Sequence, residues 1–330
     1  MDVPRLRAWL AAPGEPEPLV VETSGSSGTP KRVVLSRRAV LASVAASADR
    51  LGGTGPWALR LPLGYVAGLQ VVCRSLVAGH EPLTDPARWP DGDGWFTSLV
   101  PTQLHRILED ADPADRSALA RAHTVLLGGG PVDPALRARA TAAGVRVVAT
   151  YGAAETAGGC VYDGVPLDGV EVDVDDTGRI RLGGPTLFDR YDGDPDLTAR
   201  TLVDGWFVTA DAGRVADDGR LQVLGRIDDV VVSGGVNVPG PAVAARLRAH
   251  PGVAEAEVLG VPDEEWGNRL VAFVAPAGVG GADLDATALR AWVTAVHPRA
   301  WAPRQVVVLD AIPLLANGKP DRVRLRELAR

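Results

Sequence analysis

The feature that most restricts what this chain can fold into is an alternation. From Leu19 to Ala149, short apolar runs take turns with stretches that carry helix-start and helix-stop residues. Leu19–Glu22 and Arg32–Leu35 read as strands, followed by a helix over Arg37–Leu51 that Ser36 caps and Gly52 and Gly53 close. Further strands are expected at 57–61, 95–100, Thr124–Leu127 and 145–149, with helices at 66–78, from Pro101 onward and at 134–143. Strands and helices interleaved at this spacing predict a layered α/β sheet with buried, mostly parallel strands.

After Tyr151 the texture changes. Short β-like pieces at 170–174, 179–182, 202–203, 205–208 and 221–224 are separated by Asp/Gly turns, which predicts a small β-rich subdomain. From Asp228 onward a compact α+β pattern begins, with helices at 239–249 and 285–296, strands at 254–260 and 270–275, and a flexible turn at 278–281. Two domains are expected, residues 1–227 and 228–330, and 46% hydrophobic residues suffice for their cores.

The formal charge of −7 offers no basic field for nucleic acid or an anionic membrane surface, and no run approaches a membrane span in length. The N-terminal segment lacks the apolar stretch of a signal peptide. Cys73 and Cys160 are too few for a secreted disulfide framework, so a reducing, cytoplasmic setting is expected. The five histidines are scattered without paired spacing, and no zinc site is expected. Oligomeric state stays open.

Only two lysines occur, Lys31 and Lys319; every other basic side chain apart from the histidines is an arginine. Lysine is a compact point charge on a flexible stem, whereas arginine is a planar fork. Both lysines lie in Gly-containing loops. Thr23, Ser24, Gly25, Ser26, Ser27, Gly28, Thr29 and Lys31 supply hydroxyls, permissive glycines and one ammonium within nine positions. Glycines let backbone N–H groups converge on an anion, and hydroxyls add donors without bulk. The pattern predicts a polyphosphate cradle, although the Walker spacing is absent because Pro30 and Thr29 separate Gly28 from Lys31. The alternative is a plain Ser/Gly turn between two hairpin strands.

This loop, together with 127–131, 150–156, 205–211, 225–229 with Gly235, and 317–319, resembles the adenylate-forming superfamily of acyl-CoA synthetases, luciferases and peptide-synthetase adenylation domains. The resemblance implies a large layered α/β N-terminal domain with a small β-rich subdomain, plus a mobile α+β C-terminal domain. It implies ATP, Mg²⁺ and coenzyme A as small-molecule partners. In this likeness Gly128, Gly129 and Gly130 offer a backbone edge to adenine, beside Gly152, and Tyr151 stacks on the ring. Glu155 holds Mg²⁺ against the phosphates, a hard cation that favours oxygen ligands. Asp211 and Arg226 contact the ribose or phosphates. Asp228 is the hinge, Gly234 and Gly235 border a coenzyme A channel, and Lys319 is the adenylation lysine, stabilising charge that develops in the transition state.

The region ahead of the phosphate loop is short here, residues 1–22. In this, and in the stretches 98–105, 158–164 and 181–186, the chain looks most like the o-succinylbenzoate–CoA ligases of menaquinone biosynthesis. The implied reaction converts an aromatic keto diacid to its acyl-adenylate and then to a coenzyme A thioester. Tyr65, Ser98, Gly128, Gly152 and Thr156 are the expected acid pocket. Two positions depart from the family pattern. Ala154 stands where a hydroxyl usually faces the AMP phosphate, forgoing a charge-assisted bond of about 1.5–3 kcal/mol. Tyr65 stands where a histidine is frequent. The alternatives are another aryl- or acyl-CoA ligase, a stand-alone adenylation domain feeding a carrier protein, or a nucleotide-binding relative without turnover.

Overall fold

The structure is a computed structural model that describes residues 1–23, 31–109, 113–277, 284–314 and 320–329. Ser24, Gly25, Ser26, Ser27, Gly28 and Thr29 of the phosphate loop, the expected turn at 278–281, and Lys319 with Asn317 and Gly318 lie outside the described residues. Two compact units divide the chain. The first comprises Met1–Asp175, Ile180–Thr209 and Val215–Gln222; the second comprises Asp176–Arg179, Ala210–Arg214 and Val223–Arg330.

In the first unit, only residues 23–31 separate β1 (Leu19–Glu22) from β2 (Arg32–Leu35). A parallel pair needs a crossover of roughly a dozen residues or more, so these strands pair antiparallel, Leu19 opposite Leu35 and Glu22 opposite Arg32. The expected parallel order holds in the next sheet. There β3 (Trp57–Ala58), β4 (Phe96–Leu99), β5 (Thr124–Leu127) and β6 (Val147–Ala153) pair in parallel, each step spanned by a helical crossover. The sheet does not stop at Tyr151. After a four-residue connection, β7 (Gly158–Tyr162) turns back antiparallel on β6, and β8 (Val165–Pro166) follows.

Side-chain alternation along β4 and β5 builds a core on each face. Phe96 and Leu126 join the cluster beneath α2 (Arg37–Leu51) and α3 (Val66–Val77), while Leu99, Val125 and Leu127 join Leu104, Leu119, Leu136 and Ala140 on the other side. Helix α2 begins and ends as its sequence requires. Ser36 accepts from the Ala39 N–H, and the Gly52 N–H returns to the Ala48 carbonyl. A short helix unforeseen from the sequence, α1 (Val3–Ala11), is capped by Asp2 and buries Leu6 completely. Arg37 closes its far end by donating to the Ala12 carbonyl at 2.6 Å and the Leu10 carbonyl at 3.2 Å.

The β-rich pieces form as expected, with adjusted bounds. β9 (Glu171–Val174) pairs with β10 (Arg179–Gly183), and the strand from Trp206 runs on to Val215 rather than ending at 208. A further strand, β11 (Arg190–Tyr191), adds to β2, with Tyr191 opposite Val33.

The second unit is a clear case of period-two patterning. Strand Val253–Asp263 pairs antiparallel with Gly267–Pro276, which pairs in parallel with Gln305–Val308. Ala256, Val258, Leu270, Ala272 and Val274 pack against helices Gly240–Arg248 and Ala286–Thr294; the intervening Leu259, Val261, Val271 and Phe273 pack against Ile312, Leu325 and Ala329. A register shift between Val253 and Glu255 explains why Val253 also faces the first cluster. Among the described residues, no helix is long and apolar enough to cross a membrane.

Two consequences can be measured. Arg137 grips Asp163 with both guanidinium nitrogens, at 2.6 and 2.9 Å, and the Ala149 N–H adds a third donor at 3.0 Å. Burial alone would raise the Asp163 carboxyl, but the Arg137 fork and the backbone donor outweigh it and hold it below the usual carboxylate range. Arg137→Met should therefore lower stability at pH 7 by about 1–2 kcal/mol in urea denaturation. The native advantage exists above the ordinary carboxylate value of about 3.9 and disappears as pH falls through the depressed native one, so the two proteins should converge in strong acid. At Gly152, an added Cβ would sit 2.2 Å from the Gly158 carbonyl oxygen, a backbone atom that cannot swing away. Gly152→Ala should lower the thermal midpoint by an amount corresponding to about 1–3 kcal/mol of overpacking.

Candidate active site

Because β4, β5 and β6 run in parallel, their C-terminal ends bring Ser98, Gly128 and the 150–153 segment to one edge of the sheet. In open α/β sheets, ligands bind beyond this carboxyl edge. A cavity of about 460 Å³ opens there, within the first unit. Of the five expected acid-pocket residues, Tyr65, Ser98, Gly128 and Gly152 line it, joined by Thr23 and Gly129 from the expected nucleotide set. Thr156 does not line it. Its side chain is fully buried, and its hydroxyl engages backbone: it accepts from the Ala153 N–H at 2.9 Å and donates to the Gly158 carbonyl at 2.7 Å. Ala154 is among the residues that line the cavity.

Among the lining residues not singled out in the sequence are two buried polar ones on one helix. Gln70 and Arg74 project from α3, which is otherwise almost wholly apolar, and they are 1% and 6% exposed. Gln70 donates to the Ala157 carbonyl at 2.7 Å, and its own carbonyl oxygen has no partner among the described residues. Arg74 donates to the Tyr162 hydroxyl at 3.2 Å and lies 5.0 Å from the centre of the Trp57 ring, while its Nε has no partner among the described residues. Among the described residues Arg74 forms no ion pair. The missed signal was the i,i+4 pair of polar residues on a helix whose neighbours are all destined for burial.

Glu155 is 6% exposed, and its carboxylate accepts from the Tyr191 hydroxyl at 2.6 Å. Burial, then the Glu155 charge, pushes the Tyr191 phenol well above its ordinary range, so it acts as a donor. The Lys31 ammonium stands 5.4 Å from the centre of the same ring. The ends of the expected phosphate loop are joined twice: the Thr23 N–H donates to the Lys31 carbonyl at 2.9 Å, and the Lys31 N–H donates to the Thr23 hydroxyl at 3.1 Å.

Other candidates fall elsewhere. Tyr151 is half-buried against the first core, and neither it nor Gly130 lines the cavity. Asp211 and Arg226, both in the second unit, face each other at 3.5 Å. Asp228 lies in the short 3-10 turn Ile227–Asp229, whose last residue is bound by Arg322. Gly234 and Gly235 make the two-residue turn of the hairpin Val230–Ser233 with Val236–Pro239, both at positive φ, as a type I′ turn requires. A Cβ on Gly234 would also meet the Trp266 ring at 2.6 Å, so packing adds a second reason for glycine there.

Among the described residues, no three His, Cys, Asp or Glu side chains gather to hold a metal. One buried carboxylate that shares Tyr191 with the Lys31 ammonium still fits Mg²⁺, which takes one or two protein carboxylates and completes its shell with phosphate oxygens and water. Burial pushes the Cys73 and Cys160 thiols up to about 12, so neither is a nucleophile at neutral pH.

Residues 19–191 match the AMP-binding enzyme family, and residues 242–319 match the AMP-binding enzyme C-terminal domain. The chain is 43% identical over 324 residues to a probable 2-succinylbenzoate–CoA ligase of Mycobacterium tuberculosis, covering 93% of this chain and 83% of that protein. It is 32% identical to the 2-succinylbenzoate–CoA ligase of Geobacillus kaustophilus, over 94% of this chain and 69% of that protein. Its fold superposes on o-succinylbenzoate CoA synthetase from Bacillus subtilis, solved with the acyl-adenylate intermediate, with a TM-score of 0.76 and 27% identity over 93% of this chain and 68% of that one. The chain belongs to the AMP-binding enzyme family.

Proposed function

We propose that this protein uses ATP to activate a carboxylic acid as its acyl-adenylate and then transfers the acyl group to coenzyme A, the acid being 2-succinylbenzoate. The observation that carries the choice of acid is Arg74. A buried guanidinium without an acidic partner is costly unless a ligand supplies the counter-charge. A monocarboxylate consumed at the reaction centre leaves no anion for it. A diacid does: one carboxylate reacts and the second meets Arg74, with the aromatic ring between them against the glycine-lined walls at Gly128 and Gly152.

In this reading the Thr23–Lys31 loop receives the triphosphate through its backbone N–H groups, hydroxyls and ammonium. Gly128, Gly129, Gly130 and Tyr151 hold adenine, Asp211 and Arg226 the ribose, and Glu155 anchors Mg²⁺, which when bound neutralises phosphate charge. The substrate carboxylate attacks the α-phosphorus, the bond to pyrophosphate breaks, and the acyl carbon gains AMP as a good leaving group. Residues 228–330 carry Lys319 as the ammonium that offsets negative charge in that transition state, with Asp228 as hinge. A thiolate then displaces AMP. Catalysis is chiefly positioning and charge placement.

Two variants test this. Arg74→Met should raise the KM for 2-succinylbenzoate about ten- to hundredfold, the worth of lost charge-assisted hydrogen bonds, and leave ATP affinity unchanged. Pyrophosphate release measured against acid concentration reads the effect; an unchanged KM would remove the acid assignment. Lys319→Ala should abolish adenylation while calorimetry still detects ATP, and turnover at the parent rate in that variant would remove the enzymatic role of Lys319.

A further inference from the structure

Tyr191 touches both charged groups expected at the triphosphate, yet no motif reading gave it a role. Its backbone is tied down on several sides. It lies opposite Val33 on β2, and its N–H donates to the Thr198 hydroxyl at 2.9 Å. The neighbouring Asp192 N–H donates to the Arg32 carbonyl at 2.8 Å, and the Asp192 carboxylate pairs with the Arg32 guanidinium at 2.8 Å. The ring is fixed too, 2% exposed and packed 4.8 Å from the Phe188 ring. From this anchored position the hydroxyl reaches Glu155 at 2.6 Å, and the ring lies 5.4 Å from the Lys31 ammonium.

We infer that Tyr191 is a positioning residue of the nucleotide site: its hydroxyl orients the Glu155 carboxylate, and its ring face holds the Lys31 ammonium. The inference rests on the nucleotide-binding reading above. A carboxylate has about four lone-pair sites over its two oxygens, so one phenolic donor fixes the group and leaves the second oxygen free for a cation. A ring face holds an ammonium by electrostatic attraction without consuming any of its donors, so Lys31 keeps its N–H groups for phosphate oxygens. One side chain thus separates the negative and positive members of the site and keeps Lys31 from collapsing onto Glu155. A direct Lys31–Glu155 pair would occupy both groups that the magnesium–nucleotide complex needs.

The scarcity of lysine makes a direct test available. Reductive methylation with ¹³C-formaldehyde labels only Lys31, Lys319 and the N-terminal amine, and it keeps the lysine charge. Lys31→Arg assigns the Lys31 resonance. That resonance should be displaced by the ring current in the parent protein and in Tyr191→Phe, and return to the free-lysine position in Tyr191→Leu. Calorimetry of ATP binding with and without magnesium reads the hydroxyl. Tyr191→Phe keeps the packing but removes the donor, and should cut the affinity gain due to magnesium about tenfold while the metal-free ATP affinity stays unchanged, as expected for loss of a partner that orients a ligand. Glu155→Gln should make the additional Tyr191→Phe substitution silent. A Lys31 resonance unmoved by Tyr191→Leu, or a full magnesium effect in Tyr191→Phe, overturns the positioning role and leaves the nucleotide reading intact. No heat with ATP and magnesium in the parent protein overturns both.

Discussion

Two buried charges of opposite sign organise the first unit, and each is met by a single phenol. Glu155 takes its hydrogen bond from Tyr191, and Arg74 gives one to Tyr162, which also bonds Ser47 at 2.8 Å. A buried ion is tolerated only when hydrogen bonds or an opposite charge replace the water it has lost. A neutral phenol replaces part of that water without cancelling the charge. Both ions therefore remain able to attract something further, which is what separates a binding site from a structural salt bridge.

The surrounding elements keep those charges apart. Glu155 sits in a 3-10 turn at the end of β6, locked by the Thr156 hydroxyl and by the Phe188 N–H, which donates to the Glu155 carbonyl at 2.9 Å. Arg74 belongs to the last turn of α3, where its carbonyl accepts from the Ala78 N–H at 3.1 Å and only its side-chain Nε is short of a partner among the described residues. Gly128 and Gly152 line the cavity without side chains, so that a flat ligand can approach the backbone. Thr156, expected to touch the acid, instead holds the turn that presents Glu155. Its hydroxyl is more useful to the fold than to the ligand.

In the second unit, by contrast, one half-buried arginine is paired with two carboxylates. Arg322, just beyond Pro320, bonds Asp229 and, at 2.9 Å, Glu257. Burial raises the Glu257 carboxyl, with Arg322 acting against that rise. The Leu314–Pro320 bridge and the Asp321 N–H, which donates to the Pro313 carbonyl at 2.8 Å, close the base of the segment that carries Lys319. Order at the base of a loop fixes where its tip is tethered.

Much of this was legible from local chemistry. The Ser36 cap, the Gly52 stop, the short β1–β2 connection and the run of fully apolar strands are decided by residues close in sequence, and they appear as expected except where connection length forced antiparallel pairing. The motif segments were legible for the same reason: glycines, hydroxyls and carboxylates at fixed spacing act through the backbone that carries them. What stayed hidden depended on separation. Tyr191 is 36 positions from Glu155, and Arg74 is 88 from Tyr162. No pattern in a one-dimensional chain says that a phenol will meet a carboxylate, or that an arginine in an apolar helix will find no acid. The order of elements and the chemistry of the loops were set by the sequence itself. Which charges were left partly unsatisfied, and so available to a ligand, was decided only when packing excluded water from around them.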